Sequence, residues 1–147
     1  MKLETVHFVG ICGTAMAAVA AALKERGIKV SGSDQGIYPP MSTFLEERGI
    51  EAKPFGAANL GHKPDLVVIG NAISRGNPEA EFALEQKLDY CSLPELLKHQ
   101  FLRGKRSLVV SGTHGKTTTA SLLAWLLEHN GLNPSFLIGG IPNNLGQ

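Results

Sequence analysis

Residues 111–119, with the sequence SGTHGKTTT, combine the groups that a polyphosphate-binding loop needs. Gly112 and Gly115 let the backbone turn so that successive N–H groups point inward, and Lys116 adds a full positive charge. Thr117 offers a hydroxyl of the kind that meets the magnesium ion accompanying ATP. The stretch therefore predicts a site for ATP and Mg²⁺, in which Lys116 and Thr117 are the candidate catalytic residues and Thr117 is the metal ligand.

This loop departs from the strict phosphate-loop pattern at one position. The pattern G-x-x-x-x-G-K-[ST] would place glycine at residue 110, where this chain has Val110. An alternative is that the glycine, lysine and threonine merely cap a helix, but an apolar run at 107–110 precedes the loop and a helical run at 120–129 follows it. The predicted ATP-binding residues are Gly112, Thr113, His114, Gly115, Lys116, Thr117 and Thr118.

His114 lies inside this loop, and an imidazole there could act as an acid or base. We favour a hydrogen-bonding or substrate-orienting role, because phosphoryl transfer needs neutralisation of charge more than it needs a nearby proton carrier.

A second glycine turn, residues 10–16 with the sequence GICGTAM, follows the first apolar run of the chain. This is where a dinucleotide fold binds a pyrophosphate, and Asp34 lies at the distance along the chain that suits an acid binding ribose. The strict G-x-G-x-x-G pattern fails, since Cys12 and Ala15 occupy its second and third glycine positions. A turn used only for packing is therefore the alternative to a binding site.

A third candidate segment, residues 71–78, follows the apolar run 66–69. Ligands of open α/β sheets gather beyond the carboxyl ends of such strands. Ser74 and Arg75 could contact an anionic group there, although an isolated loop arginine is more often only solvated.

The elements that must position these turns alternate regularly along the chain. Hydrophobic patterning and turn residues predict strands at 6–9, 29–33, 50–55, 66–69, 89–91, 107–110 and 135–138. They predict helices at 15–26, 78–87, about 93–103 and 120–129, together with a short helix that a capping box at 43–46 opens and Gly49 ends. Residues 139–147 have turn chemistry. The alternation predicts an α/β fold with a mainly parallel sheet.

Composition narrows the function further. The chain has 147 residues, enough for one domain and the start of another, and a net charge of +1, which gives no overall field to attract nucleic acid or a membrane surface. The two cysteines lack metal-type spacing and fit a reducing compartment. Residues 6–23 could pass for a leader peptide, but cleavage would remove the first strand and turn. We therefore expect a cytoplasmic protein.

Together these motifs give a family resemblance. Residues 112–118, GTHGKTT without a glycine at 110, and residues 7–14 and 31–34, HFVGICGT and SGSD, resemble the Mur ligase family, the ATP-dependent amide ligases of peptidoglycan assembly. The resemblance implies that residues 1–103 form a Rossmann-like domain that holds a UDP-sugar. Residues 104–147 would then begin the central ATP-binding domain, in truncated form.

Two activities within the family compete. One joins L-alanine to UDP-N-acetylmuramate, and the other joins the tripeptide L-alanyl-γ-D-glutamyl-meso-diaminopimelate to the same sugar nucleotide during cell-wall recycling. Cys12 and Ala15 in the first turn, with residues 38–42 and 70–78, resemble the tripeptide ligase more closely.

The resemblance also implies roles for individual residues. Gly10, Cys12, Gly13 and Thr14 would take the UDP pyrophosphate, Asp34 would bind further along the nucleotide, and Ser74 and Arg75 would add contacts. The reaction would pass through an acyl phosphate. Because most of the catalytic domain expected from the family is absent, we expect the chain by itself to be inactive.

Two other classes remain as alternatives. A nicotinamide-dependent dehydrogenase would explain the first glycine turn but not the second, and NADH fluorescence on mixing would reveal it. A non-catalytic nucleotide-sugar-binding module would bind UDP-sugars without turnover.

Overall fold

Strands and helices alternate along the first hundred residues. In the computed structural model, which describes residues 3–139, the chain divides into two compact units, Met1–Lys105 and Arg106–Gln147. The strands of the first unit are β1 (Thr5–Val9), β2 (Lys29–Ser33), β3 (Ala52–Lys53), β4 (Leu66–Ile69) and β5 (Tyr90–Ser92). Its helices are α1 (Thr14–Glu25), α2 (Met41–Glu47), α3 (Pro78–Glu85) and α4 (Leu93–Leu97), with a 3₁₀ turn at Ala57–Leu60 and a π-helical turn at Lys98–Leu102.

All five strands are parallel and lie in the order β3-β2-β1-β4-β5. The register places Val9 at the end of β1 opposite Ser33 of β2 and Ile69 of β4. The carboxyl ends of the three central strands therefore meet at one edge of the sheet. The turns that follow them, which carry the predicted ligand residues, must emerge at this edge.

The first strand packs on both faces of the sheet. Val6 and Phe8 belong to a core that includes residues of α1, α2 and α4, whereas Val9 belongs to a smaller core with Ala83 of α3 and Leu60 of the 3₁₀ turn. Alternate side chains of a strand point to opposite faces, so this assignment follows from the period of two. A parallel sheet covered on both faces is the expected outcome for strands as apolar as β1 and β4.

The structure confirms the α/β class and the five predicted strands of the first unit, and it corrects two details. Helix α2 begins at Met41 after Pro40, so Thr43 lies inside the helix and does not cap it. The third strand is only Ala52–Lys53, because Pro54 follows it and cannot donate to a ladder. The helix predicted at about 93–103 is α4 continued by the π-helical turn.

The second unit contains one helix, α5 (Lys116–His129), within the residues that the structure describes. It starts four residues earlier than predicted. The strands predicted at 107–110 and 135–138 are wrong: within residues 106–139 neither segment is paired in a sheet. Val109 is 85% exposed, which agrees with an apolar segment that lacks a neighbouring strand. The turn predicted at 139–147 lies, beyond Gly139, outside the described residues.

Within residues 3–139, no helix is both long enough and apolar enough to cross a membrane.

Candidate nucleotide-binding turns

The turn after β1 is held by the end of β2. Gly10, with φ +88°, and Ile11 both donate their backbone N–H to the carbonyl oxygen of Ser33, at 2.8 and 2.9 Å. The left-handed backbone at Gly10 is a conformation that glycine adopts without steric cost. Two hydrogen bonds to one carbonyl therefore fix where the turn begins.

The structure brings Cys12 and Asp34 together, two residues that the sequence predicted separately. The backbone N–H of Cys12 donates to Oδ2 of Asp34 at 2.9 Å, and the N–H of Gly36 donates to Oδ1 at 2.9 Å. One carboxylate thus links the turn after β1 to the turn after β2.

The thiol of Cys12 is not a nucleophile at neutral pH. Burial raises its pKa, and the negative charge of Asp34 raises it further, to about 11. Since the thiolate is the reactive form, the side chain stays a neutral, partly buried group.

Helix α1 begins directly after this turn. Gly13 is its N-cap and Thr14 its first residue, and the first turn of the helix carries no acidic side chain. The backbone N–H groups of a first helical turn have no acceptor within the helix, and the helix dipole adds positive potential at this end. The geometry therefore suits the binding of an anion at the amino terminus of α1.

One residue that the sequence analysis missed is Gly32 in β2. A Cβ atom there would lie 2.4 Å from Cδ1 and 2.7 Å from Cβ of Ile11. The absent side chain is what allows Ile11, which is fully buried, to fold back over the strand. The signal in the sequence was a glycine inside a strand, which often marks a close approach.

The loop after β4 adjoins the same turn. The N–H of Gly70 donates to the carbonyl of Val9 at 3.0 Å, and the side chain of Ile73 lies 3.4 Å from the position that a Cβ of Gly10 would take. Ser74 and Arg75 follow at the surface and are both exposed. The loop that carries the predicted substrate residues therefore packs against the first glycine turn through Ile73.

The loop ends at a buried polar network, which sequence reasoning also missed. Asn77 caps α3 as predicted, and its Oδ1 accepts from the N–H of Glu79 at 3.0 Å. Glu79 is fully buried and accepts hydrogen bonds from four donors, namely His7 Nε2, Ser33 Oγ, Gly56 N and Asn59 Nδ2. Burial raises the pKa of Glu79, but these hydrogen bonds together outweigh it and hold the pKa below its ordinary value.

The other ring nitrogen of His7 completes the network. Nδ1 lies 2.8 Å from Oγ of Ser31, and Nε2 lies 3.3 Å from Oε2 of Glu79. A neutral imidazole satisfies both contacts when Nε2 donates to the carboxylate and Nδ1 accepts from the hydroxyl. The network thus links α3 to both β1 and β2.

A cleft of about 550 Å³ lies over the polar side of β1 and β2. Its lining includes His7, Lys29, Ser31, Lys53 and Asn59, and none of the residues predicted to bind ligands belongs to it. We therefore assign no function to this cleft.

In the second unit, α5 begins at the predicted phosphate loop. Gly112 and Gly115 have φ of +148° and +74°, and Gly115 is the N-cap of the helix. The Nζ of Lys116 donates to the carbonyl of Gly112 at 2.7 Å, so the ammonium group lies over the loop. The first turn of α5 carries no acidic side chain and, like that of α1, suits an anion.

The remaining predicted residues of this loop, Thr113, His114, Thr117 and Thr118, are exposed. Within residues 3–139 there is no group of three or more His, Cys, Asp or Glu side chains that could hold a metal ion.

Comparison with known proteins agrees with this architecture. The model of the Mur ligase family, catalytic domain, matches residues 5–105. A UDP-N-acetylmuramate–L-alanyl-γ-D-glutamyl-meso-2,6-diaminoheptandioate ligase of Haemophilus influenzae is 53% identical over 145 residues, covering 98% of this chain and 32% of the relative. A UDP-N-acetylmuramate–L-alanine ligase of Rickettsia canadensis is 45% identical over 148 residues, covering 97% of this chain and 29% of the relative.

A solved structure is similar over the whole chain. The UDP-N-acetylmuramate:L-alanyl-γ-D-glutamyl-meso-diaminopimelate ligase of Neisseria meningitides matches with a TM-score of 0.93 and 50% identity, over 99% of this chain and 45% of that one. The chain spans about a third of the length of the two curated relatives. Because the family model matches more than half of the chain, the chain belongs to the Mur ligase family.

Proposed function

We propose that these residues serve an ATP-dependent ligase that joins UDP-N-acetylmuramate to the tripeptide L-alanyl-γ-D-glutamyl-meso-diaminopimelate in peptidoglycan recycling. The observation that carries the proposal concerns α1 in the first unit and α5 in the second. Each of these helices begins directly after a glycine turn, and its first helical turn carries no acidic side chain. Two anion sites in one chain are what a reaction between a sugar nucleotide and ATP requires. We place this reaction in the cytoplasm.

The first unit would hold the UDP-sugar. Its diphosphate would lie at the first turn of α1, which begins at Thr14 after the N-cap Gly13, while Gly10 and Cys12 shape the turn before it. Ser74 and Arg75 would contact an anionic part of the same ligand, because their loop packs against Gly10 through Ile73.

The second unit would hold ATP on residues 112–118. Lys116, which already lies over the loop, would neutralise charge on the transferred phosphoryl group, and Thr117 would help to hold the magnesium ion that accompanies ATP. His114 would hydrogen-bond or orient a substrate. The magnesium ion, when bound, supplies further charge neutralisation to the phosphates.

The proposed ligation proceeds in two steps. A muramate carboxylate oxygen attacks the terminal phosphorus of ATP, which forms the acyl phosphate and releases ADP. The amine of the tripeptide then attacks the acyl carbon, the C–O bond to phosphate breaks, and the amine proton leaves with solvent. The loop residues act in the first step, where negative charge accumulates on the phosphoryl oxygens.

The second candidate is ligation of L-alanine to the same sugar nucleotide. The higher identity to the tripeptide ligase than to the L-alanine ligase favours the tripeptide. A non-catalytic UDP-sugar-binding module is the alternative from a different class.

An assay of the whole enzyme tests the proposal. Release of ADP should require UDP-N-acetylmuramate together with the tripeptide, and L-alanine in place of the tripeptide should give little release. Lys116→Ala should reduce kcat by about 10²-fold or more, since it removes charge neutralisation in the transition state, while Lys105→Ala, which removes an exposed lysine outside the loop, should leave it unchanged. The assignment would be wrong if the enzyme turned over with L-alanine and not with the tripeptide, or if Lys116→Ala kept full activity.

A further inference from the structure

We infer that Asp34 is a positioning residue, which holds the turn after β1 in the shape that presents α1 to the diphosphate, and that it does not act by binding the ribose hydroxyls. The inference rests on the proposed function and deepens it. Asp34 would thus contribute to the affinity for the UDP-sugar indirectly, because its carboxylate fixes the backbone turn that precedes α1.

The first observation is the use of both carboxylate oxygens. Oδ2 of Asp34 accepts from the N–H of Cys12 and Oδ1 accepts from the N–H of Gly36, each at 2.9 Å. Hydrogen bonds from backbone N–H groups to a charged carboxylate are about twice as strong as neutral ones. The side chain is thereby oriented toward the protein backbone by two contacts on opposite sides.

The second observation is that Asp34 completes a series of contacts that Ser33 begins. The carbonyl of Ser33 accepts from Gly10 and Ile11, and Asp34 accepts from the next N–H along the chain, that of Cys12. Three successive N–H groups of the turn are therefore bound to the end of β2. The N–H of Gly13 donates to the carbonyl of Gly10 at 3.4 Å, so the N–H groups that can face a ligand are those of the first turn of α1, from Thr14 onward.

The third observation is that the backbone of Asp34 is itself held. Its N–H donates to the carbonyl of Lys53 in β3 at 2.9 Å, so the residue continues the parallel pairing of the sheet. A carboxylate carried by the sheet is a rigid support for the glycine turn. Supports of this kind fix the groups that contact the ligand without contacting it themselves.

Asp34→Asn separates the two roles, because it keeps the size of the side chain. An asparagine can accept at one oxygen only, and its NH₂ group would face the other backbone N–H. Losing one such bond should raise the KM for UDP-N-acetylmuramate about tenfold, whereas kcat at saturation should change less than about twofold, since the diphosphate is remote from the reacting carboxylate. Asp89→Asn, at an exposed aspartate before β5, is the matched control and should change neither.

Substrates that lack a ribose hydroxyl test directly whether Asp34 binds the ribose. The ratio of KM values for the 2′-deoxy and 3′-deoxy forms of UDP-N-acetylmuramate to that of the normal form should be the same in wild type and Asp34→Asn. If the ratio exceeds one in wild type and falls to one in Asp34→Asn, Asp34 binds the ribose and the inference is wrong. An unchanged KM for the normal substrate would also overturn it.

Two controls distinguish a failure of this inference from a failure of the proposed function or of folding. Wild-type turnover in the same assay tests the proposed function, so its absence would reject that proposal and not this one. Asp34→Ser retains a short acceptor for at most one of the two N–H groups and should raise the KM at least as much as Asp34→Asn does. If the asparagine variant unfolds, the serine variant and the deoxy substrates carry the test.

Discussion

Glu79 has no exposed surface, and its carboxylate accepts hydrogen bonds from four donors. These donors lie in β1, in β2, at Gly56 and in the 3₁₀ turn. The carboxylate is therefore bound in its ionised form, and its pKa in the folded protein lies below that in the unfolded chain. This stabilisation is complete above the unfolded pKa and is lost as the pH falls through the folded pKa.

Glu79→Gln should lower the free energy of unfolding by about 1–3 kcal/mol at neutral pH, because a glutamine cannot accept all of these hydrogen bonds. Urea denaturation followed by far-UV circular dichroism measures it. The difference from wild type should shrink at about pH 4, where the carboxylate of the unfolded chain takes up protons. Glu85→Gln, at an exposed position in α3, should be neutral at both pH values; a difference for Glu79→Gln that does not depend on pH would contradict the charged network.

At the scale of elements, the contact between β2 and the turn after β1 decides how the first candidate site is shaped. Gly32 and Ile11 lie so close that a methyl group cannot enter without moving the turn. One of the atoms that the added methyl group would meet is the Cβ of Ile11, which is bonded directly to the backbone and cannot rotate aside.

Gly32→Ala should therefore destabilise the first unit by about 1–3 kcal/mol through overpacking, and it should weaken binding of UDP-N-acetylmuramate, because the turn shifts. Calorimetric titration and urea denaturation measure the two effects. Gly56→Ala is the control: Gly56 has φ −175°, and the nearest atom to its added Cβ would lie 4.0 Å away. Equal behaviour of the two variants would show that the close approach has no consequence.

The sequence was sufficient to predict β1, β2, β4 and β5 of the first unit, because continuous apolar runs and turn residues define them locally. It could not predict that the apolar run 107–110 stays unpaired, since a strand forms only where a neighbouring strand exists. It placed Asp34 at the ligand edge but not the direction of its carboxylate, which depends on contacts with Cys12 and Gly36. The partners of Glu79 were equally hidden, because they come from distant segments.

At the scale of the whole molecule, the buried cores are distributed unevenly. Within residues 3–139, the large apolar core and the smaller one beside it consist of residues of the first unit, whereas the buried cluster described in the second unit is Ala124 and Ile138 with Ala120 beside them. Apolar side chains of the second unit are exposed instead, including Leu108, Val109 and Leu132 at 59%, 85% and 66%. Among the described residues, the apolar burial that stabilises the fold is therefore concentrated in the first unit.

A chain ending at Lys105 should accordingly keep the cooperative unfolding of the first unit, with a free energy of unfolding within about 1 kcal/mol of the 147-residue chain. Residues 106–147 alone should unfold without a cooperative transition, since so small a core cannot offset the chain entropy. Circular dichroism during thermal unfolding of both pieces measures this. Loss of the transition in the shorter chain would mean that the first unit depends on residues after Lys105.

The strand order also has a consequence for synthesis on the ribosome. The first strand to emerge, β1, is the central one, and its two neighbours are β2, which follows after 19 intervening residues, and β4, which begins only at Leu66. Until β4 arrives, one edge of an apolar strand has no native partner and offers its backbone to other nascent chains. A chaperone that shields this edge would therefore act between the completion of β2 and the emergence of Ile69.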